Sequence, residues 1–515
     1  MARFLAHQSP MKQLSALFAA SWFAAAACAA LPQPDLIAQI HFAGAQKISA
    51  AATAAAFTNE FCSAEALALR AQTADKLSPW LAGWLQQNLN ANAPNGAAKL
   101  RPLLDDLQRA EWFLEARSAA EGKPAAAIAI KLDPARAQLW QANLKPFFAA
   151  ASFKSAGGWL IFDSDPARLK LGDRLAQKIS APPAGWFDAD VNWPRLAQWY
   201  PKLKELALPE TQFTVTAPDA NFRINGKFFF PNNLALKLDA WRVPTNTLHQ
   251  PFNSFTAVRG FAAWLQSQPW AQAYQITPAP NQLFTWSLPS YPFQTFAAIP
   301  ATDSANALVQ AYARLAPAFS AANARDAFAA PVTPEMTNNA IGFIGMPLIA
   351  PYLRALNEPA GQFLFWEPFP NTPKSKPLPP ELFQRLATKD LVYYHWEITA
   401  ERMPQLLQLS QFSLMVTRRK QLEDTSAAFK WLQRIGGALG NTDTEITQSG
   451  PAEFTFTRKT PGIFTAAELF TLANWLEAAN FPGCDLKLPP PSPRLKMLHQ
   501  QKLQQHATPA PAPGH

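Results

Sequence analysis

Apolar side chains along this chain fall into short blocks with two recurring periods. Where they alternate with polar residues the period is two, the pattern of a strand whose successive side chains point to opposite faces. Segments 111–117, 125–132, 159–162, 213–216 and 222–230 read as extended, and so do 283–288, 293–299, 341–344, 391–398 and 454–457. Other blocks repeat every three or four residues. Val258, Phe261, Ala262 and Leu265 fall on one side of a helix, as do Ala466, Leu469, Phe470 and Ala473. Thr465 and Glu468 have the spacing of a capping box, in which the hydroxyl takes an orphan amide and the carboxylate reaches back. Asp133 and Asp165 stand before prolines and are expected to cap helices, with Pro166 and Pro347 at first helical positions.

The order of these blocks occurs twice. Strand 111–117 is followed by 125–132 and then by Asp133-x-Ala135-x-Ala137; strand 283–288 is followed by 293–299 and then by Asp303-x-Ala305-x-Ala307. Next come Ala184-Gly185-x-Phe187 in one half and Ala360-Gly361-x-Phe363 in the other. Phe255-Thr256-Ala257 leads to Trp264-Leu265, Phe464-Thr465-Ala466 leads to Trp475-Leu476, and Phe57-Thr58 with Trp84-Leu85 echoes both near the start. A repeated order predicts a duplicated architecture. The expected fold class is α+β: two tandem duplicated α+β units, 31–248 and 249–485, each a mostly antiparallel or mixed sheet backed by helices.

The ends of the chain follow different patterns. Arg3 and Lys12 precede an apolar run from Leu14 to Ala27 and a small-residue exit, the layout of a cleaved signal peptide, so residues 1–30 are expected to be removed. Met11-Lys12 opens such a signal by itself. The sequence Leu31-Pro32-Gln33-Pro34 breaks any continuing helix, and no transmembrane span is expected in the mature chain. Cleavage after Ala29 or Ala30 fits the small-residue rule; the alternative makes Cys28 a lipidated anchor, because Ala25-Ala26-Ala27-Cys28 resembles a lipoprotein box. At the other end, 486–515 mixes Pro, Gln, His and Ala, cannot bury a core, and predicts a disordered tail. The expected location is exported, in the periplasm or cell envelope.

Composition narrows the reading of the body. Hydrophobic residues make up 49% of the 515, ample for sizeable cores, and 48 prolines predict many interrupted elements. The formal charge of +9 falls to +7 when Arg3 and Lys12 leave with the leader. The remaining basic residues are dispersed; the densest run, Arg418-Arg419-Lys420, reads as a solvated face, so nucleic acid is not an expected partner. Beyond the leader the cysteines are Cys62 and Cys484. In an oxidising compartment such a pair favours a disulfide, here one that clasps the two ends of the body; the alternative is two buried thiols.

Candidate chemistry is sparse. Asp188-Ala189-Asp190-Val191-Asn192 opens like a calcium loop, but Trp193 stands where the turn glycine belongs, and the alternation of Phe187, Ala189 and Val191 says strand. Tyr393, His395, Glu397 and Thr399 also alternate, so His395 and Glu397 fall within reach of each other on one strand face. These two pairs, His395 with Glu397 and Asp188 with Asp190, are the catalytic candidates. His41, His249 and His395 are scattered, no metal site is expected, and phosphate-loop, nucleophile-elbow and dinucleotide motifs are missing, so no cofactor is expected. With 17 Trp and 37 Phe, some aromatics could line a groove between the units; Trp80, Trp84, Trp264 and Trp475, on the recurring helices, are the ligand-binding candidates.

Segments 255–265, 392–397 and 474–484 resemble those of an uncharacterised family of exported bacterial proteins of the domain-of-unknown-function type. The resemblance implies export and a two-unit body and brings no catalytic residues with it. The leading expectation is a non-enzymatic envelope protein that binds or scaffolds an envelope polymer, a lipid or a protein partner through a groove between the units. The alternative is a hydrolase acting on envelope or extracellular polymers.

Overall fold

The computed structural model describes residues 35–483, apart from residues 90, 119–123, 181–184, 201–202, 205–206, 235, 249–250, 269–270, 272–277, 290–294, 325–327, 329, 347–348, 369–377 and 418–424. Strand β1 (Leu36–Phe42) leads into helices α1 (Ala45–Ser49), α2 (Ala55–Phe61), α3 (Ala64–Leu89) and α4 (Gly96–Arg109). The hairpin of β2 (Trp112–Arg117) and β3 (Ala125–Lys131) precedes α5 (Pro134–Leu144), and that of β4 (Ser152–Ala156) and β5 (Trp159–Asp163) precedes α6 (Leu171–Lys178). Then follow β6 (Phe187–Val191), α7 (Trp193–Trp199), β7 (Glu210–Thr216) and β8 (Phe222–Phe229). The later chain contains β9 (Ser254–Arg259), α8 (Ala262–Ser267), β10 (Gln282–Ser287), β11 (Thr295–Ala301) and α9 (Ser304–Asn323). A meander of β12 (Thr333–Met336), β13 (Ala340–Ile344), β14 (Tyr352–Glu358) and β15 (Gly361–Glu367) is followed by α10 (Pro380–Leu386) and β16 (Leu391–Ile398). The body closes with α11 (Thr399–Thr417), α12 (Ala427–Gly436), the hairpin of β17 (Asn441–Gly450) and β18 (Glu453–Thr460), and α13 (Ala466–Glu477).

The eighteen strands among the described residues join one antiparallel sheet. From edge to edge the first part of the order is β4-β5-β3-β2-β1-β6-β7-β8. The β8–β18 pair links it to the rest, β18-β17-β16-β9-β10-β11-β15-β14-β13-β12. The fold is α+β with an antiparallel sheet, but the sheet is single, which corrects the expectation of a separate sheet in each half. The physical reason lies in β8 and β18, whose edges hydrogen-bond each other from Phe222 opposite Thr460 to Phe229 opposite Glu453. Neither strand is left as an exposed edge that would invite aggregation.

Helices cover both faces. On the face that carries Phe42, α4 and α5 place Leu100, Leu103 and Trp140 on Ile128, Ile130, Leu160 and Phe162. On the same face α9 places Leu308 on Ile341 and Phe343, while α3, α11, α12 and α13 pack together around Leu69, Met403, Leu432 and Leu469. On the opposite face α6 sits on Ala127, Ala129 and Ile161, and α10 places Leu382 and Leu386 on Phe255, Phe284 and Trp286. Among the described residues no helix is long and apolar enough to cross a membrane.

Several local readings change. Segment 254–259 is strand β9, not the start of a helix, because Val258 lies between β10 and β16, opposite Leu283 and Tyr393. The chain turns at Gly260 with a positive φ of 86° before α8 begins. Pro166 sits in a turn, and Asp165 forms an ion pair with Arg168 instead of capping a helix. The α6 N-terminus is satisfied by Asp163, whose Oδ2 accepts from the Gly172 amide at 2.7 Å. Pro347 lies outside the described residues, and the element after it, 352–358, is strand β14. Asp133 and Asp303 do cap α5 and α9, and the Thr465–Glu468 capping box opens α13.

Candidate functional site

A cavity of about 240 Å³ lies where the two parts of the sheet meet. Its floor is the alternation of β1, β6, β7, β8 and β18, which presents Phe42, Phe187, Phe213, Val215, Ile224 and Phe456 on one face. Its roof is Ile48 of α1, Phe57 of α2, Trp186, and Ile463 with Phe464 from the strap between β18 and α13. Two glycines shape the roof. Gly44, with φ 82°, lies so close to the Ala110 carbonyl carbon that a Cβ would sit 2.5 Å from it, and the turn there starts α1. At Gly185 a Cβ would meet the Val215 carbonyl oxygen at 2.6 Å, and this approach lets the Trp186 amide donate to that oxygen at 2.8 Å. The Trp186 ring then stands edge-on to Phe222 and Phe57, with centroids 5.8 Å and 6.3 Å away.

Arg458 is the charged residue of the lining, and it is already occupied. Its Nη1 and Nη2 donate to Glu468 Oε2 and Oε1, each at 2.8 Å, and its Nε donates to Thr444 Oγ1 at 2.9 Å. Burial works against its charge, but the Glu468 carboxylate outweighs it and holds the guanidinium protonated more firmly than usual. The lining contains no nucleophile and no free acid–base pair. Its chemistry is that of a receptacle for an apolar molecule, and cavities of about 150 Å³ lined by aliphatic and aromatic groups already admit benzene.

Directly behind the roof lies Glu60 of α2, one turn beyond Phe57 and 2% exposed. Neither of its carboxylate oxygens has a hydrogen-bond partner. Burial pushes the carboxyl up to about 8, and the nearby Ile463 amide, without reaching hydrogen-bond geometry, offsets part of the rise. Glu60 was not a sequence candidate: in Ala-Phe-Thr-Asn-Glu-Phe it reads as the polar side of a short helix.

The opposite face of the same strands carries Asp188 and Asp190. Asp188 Oδ2 lies 3.3 Å from His41 Nδ1, and its Oδ1 accepts from Thr214 Oγ1 at 2.7 Å. His41 is 5% exposed, and its Nε2 lies 3.4 Å from Glu111 Oε1, to which Lys47 Nζ also donates at 2.8 Å. Burial would raise the Asp188 carboxyl, but the bonds from His41 and Thr214 win and hold it below the usual range. Asp190, bonded to Gln212, is raised by burial. The expected Asp188–Asp190 pair is thus divided between different partners, and both point away from the cavity. His41 was missed as a partner because Glu111 and Asp188 are 70 and 147 residues away.

His395 and Glu397 do approach, at 3.3 Å. His395 Nδ1 is 2.8 Å from Thr256 Oγ1. Glu397, 1% exposed, accepts from Thr399 Oγ1 at 2.8 Å and from the Ala466 amide at 2.7 Å, so it serves the N-terminus of α13. Burial opposes its charge, yet His395 and these donors hold it below the usual carboxylate range. Neither residue lines the cavity.

The four candidate tryptophans are not brought together at the cavity. Trp80 and Trp264 are exposed, Trp84 lies against Tyr200 at 5.7 Å, and Trp475 lies against Phe481 at 5.0 Å. The tryptophan that reaches the site is Trp186, which carried no periodic signal because it stands before a strand. Cys62, at the end of α2, is half-buried and unbridged among the described residues; Cys484 lies outside them, as do Cys28, the 1–30 leader and the 486–515 tail. Among the described residues no group of His, Cys, Asp and Glu could hold a metal ion. No family model matches the chain, and neither a curated protein nor a solved structure matches it.

Proposed function

We propose that the chain is an exported, non-enzymatic envelope protein that binds a small apolar molecule at the joint of two duplicated units, 31–248 and 249–485. The observation that carries this reading is the cavity itself, whose lining comes from both halves: Phe42 to Ile224 from the first, Phe456 to Phe464 from the second. Duplication is supported by strand order. Counted inward from each edge, the first half runs β4-β5-β3-β2-β1-β6-β7-β8, and the second runs β14-β15-β11-β10-β9-β16-β17-β18 outside of which lies the extra hairpin β12–β13. Helices α5 and α9 follow the third strand of each set, and α6 and α10 precede the sixth. The hydrolase alternative draws less support, because Asp188, Asp190, His395 and Glu397 are committed to structural partners outside the cavity.

A cavity of about 240 Å³ suits a molecule somewhat larger than a single ring, such as a bicyclic aromatic or a short acyl chain. Titration with the fluorescent probe N-phenyl-1-naphthylamine tests the reading. Saturable binding is expected, with a loss of about tenfold or more when Ile224→Trp fills the floor. No saturable binding, or binding indifferent to Ile224→Trp in a folded variant, overturns it. Intact mass and non-reducing mobility of the secreted protein test leader removal, Cys28 lipidation and the Cys62–Cys484 bridge.

A further inference from the structure

We propose that the neutral, protonated form of Glu60 latches the 461–464 strap over the cavity and that its ionisation releases the strap, so that access to the site is gated by pH; this rests on the binding reading above. The strap joins β18 to α13 and contributes Ile463 and Phe464 to the roof. It is anchored at its C-terminal end. Arg458 Nη1 donates to the Ile463 carbonyl at 3.3 Å, and the capping box fixes Thr465 at the start of α13. Ahead of these anchors, at Gly462, the strap meets α2 through Glu60. The approach is close enough to demand glycine, since a Cβ on Gly462 would lie 3.0 Å from Glu60 Oε2 and 2.8 Å from Leu439 Cδ2.

A neutral carboxyl tolerates this apolar contact, whereas a carboxylate whose nearby donor, the Ile463 amide, falls short of hydrogen-bond geometry does not. The surrounding charged groups give it no relief. From α3, Arg70 is spent on Gln108 and the Phe61 carbonyl. From β18 and α13, Arg458 and Glu468 hold each other. From α12, the Trp431 indole donates to the Glu60 backbone carbonyl at 2.7 Å and not to its side chain. With its carboxyl pushed up to about 8, Glu60 is neutral at pH 7 and ionises just above it. Ionisation must then bring in water or expel the side chain, and either outcome parts α2 from the strap.

The test uses the whole mature chain. One pH unit above the midpoint about a tenth of molecules retain the latch, so affinity for N-phenyl-1-naphthylamine is expected to fall about tenfold between pH 6.5 and 9. Glu60→Gln, and Glu60→Met should Gln fold poorly, are expected to bind equally at both. Hydrogen exchange of the 462–465 amides, measured without probe, reads the latch directly: wild type loses protection at pH 9 relative to Glu60→Gln at the same pH. Equal protection in wild type and variant overturns the latch. Absent probe binding at either pH with the exchange difference intact overturns the binding reading and leaves the latch standing.

Discussion

The central strands of the two halves of the sheet present opposite polarity on the same face. One row of paired residues crosses it: Leu160, Ile130, Trp112, Phe42, Phe187, Val215 and Ile224 on the first half, then Arg458, Thr444, His395, Thr256 and Thr285 on the second. The row on the other face reverses this, with His41, Asp188, Thr214 and Asn225 giving way after Thr457 and Glu445 to Tyr394, Ala257, Phe284 and Ala298. The first half buries its centre against α1 and α2, and the second against α10. The cavity forms where the apolar row ends at Arg458. A buried charge network cannot collapse into the space beside it as aliphatic side chains would, so this boundary is where packing is left incomplete.

The comparison can be broken most severely at that boundary. Arg458→Ala leaves the buried Glu468 charge without its cation, and a loss of about 3–5 kcal/mol is expected in chemical denaturation. Pairing Arg458→Met with Glu468→Leu should recover most of it; a double variant as unstable as the single one would show that the charges themselves are needed.

Next comes pH. Glu60, raised from 4.5 to about 8, keeps its proton in the folded chain where the unfolded chain has lost it, so its contribution is present in acid and drains away as pH rises from about 4.5 to 8. Asp188 and Glu397, both lowered, act in the other direction: their stabilisation is present above the unfolded carboxylate range and is lost on acidification. Thermal unfolding against pH should therefore fall on both sides. Glu60→Gln should flatten the alkaline limb alone, and Asp188→Asn should shallow the acid limb; an unchanged alkaline limb in Glu60→Gln would contradict the account of that carboxyl.

Packing contrast gives a smaller effect. Ala257, 0% exposed in the full core of the second half, should lose about 1–3 kcal/mol as Ala257→Val. Val215→Ile, which faces the cavity, should cost less than about 1 kcal/mol. Equal costs would mean that the first half is packed as tightly as the second. An effect of similar small size is expected at Thr465→Ala, which removes one cap of α13 and should cost about 1 kcal/mol.

Much of this architecture was legible in one dimension. Strands such as 111–117, 125–132 and 391–398 announced themselves as short apolar blocks, although helices cover both faces of β3. The reading failed at 254–259, where apolar residues on β9 mimic a helical stripe: Phe255 and Ala257 face one side, and Val258 the other. Nothing in the short-range pattern separates those cases. The candidate site was less legible still. His395 and Glu397 were correctly placed side by side, but their partners Thr256 and Ala466 come from distant segments and turn the pair into a helix anchor.

The order of apolar and polar positions, by itself, decided most of the strand segments and where α5, α9 and α13 begin. These are local matters, settled by alternation, caps and prolines within a few residues. Tertiary structure alone decided that the strands share one sheet through β8 and β18, that the central strands change polarity at Arg458, and that Glu60 is stranded behind a cavity roof. Those outcomes depend on which distant side chains are pressed together away from water. Burial and the presence or absence of a partner set the charge on a carboxylate and the emptiness of a gap, and neither is written in the neighbours along the chain.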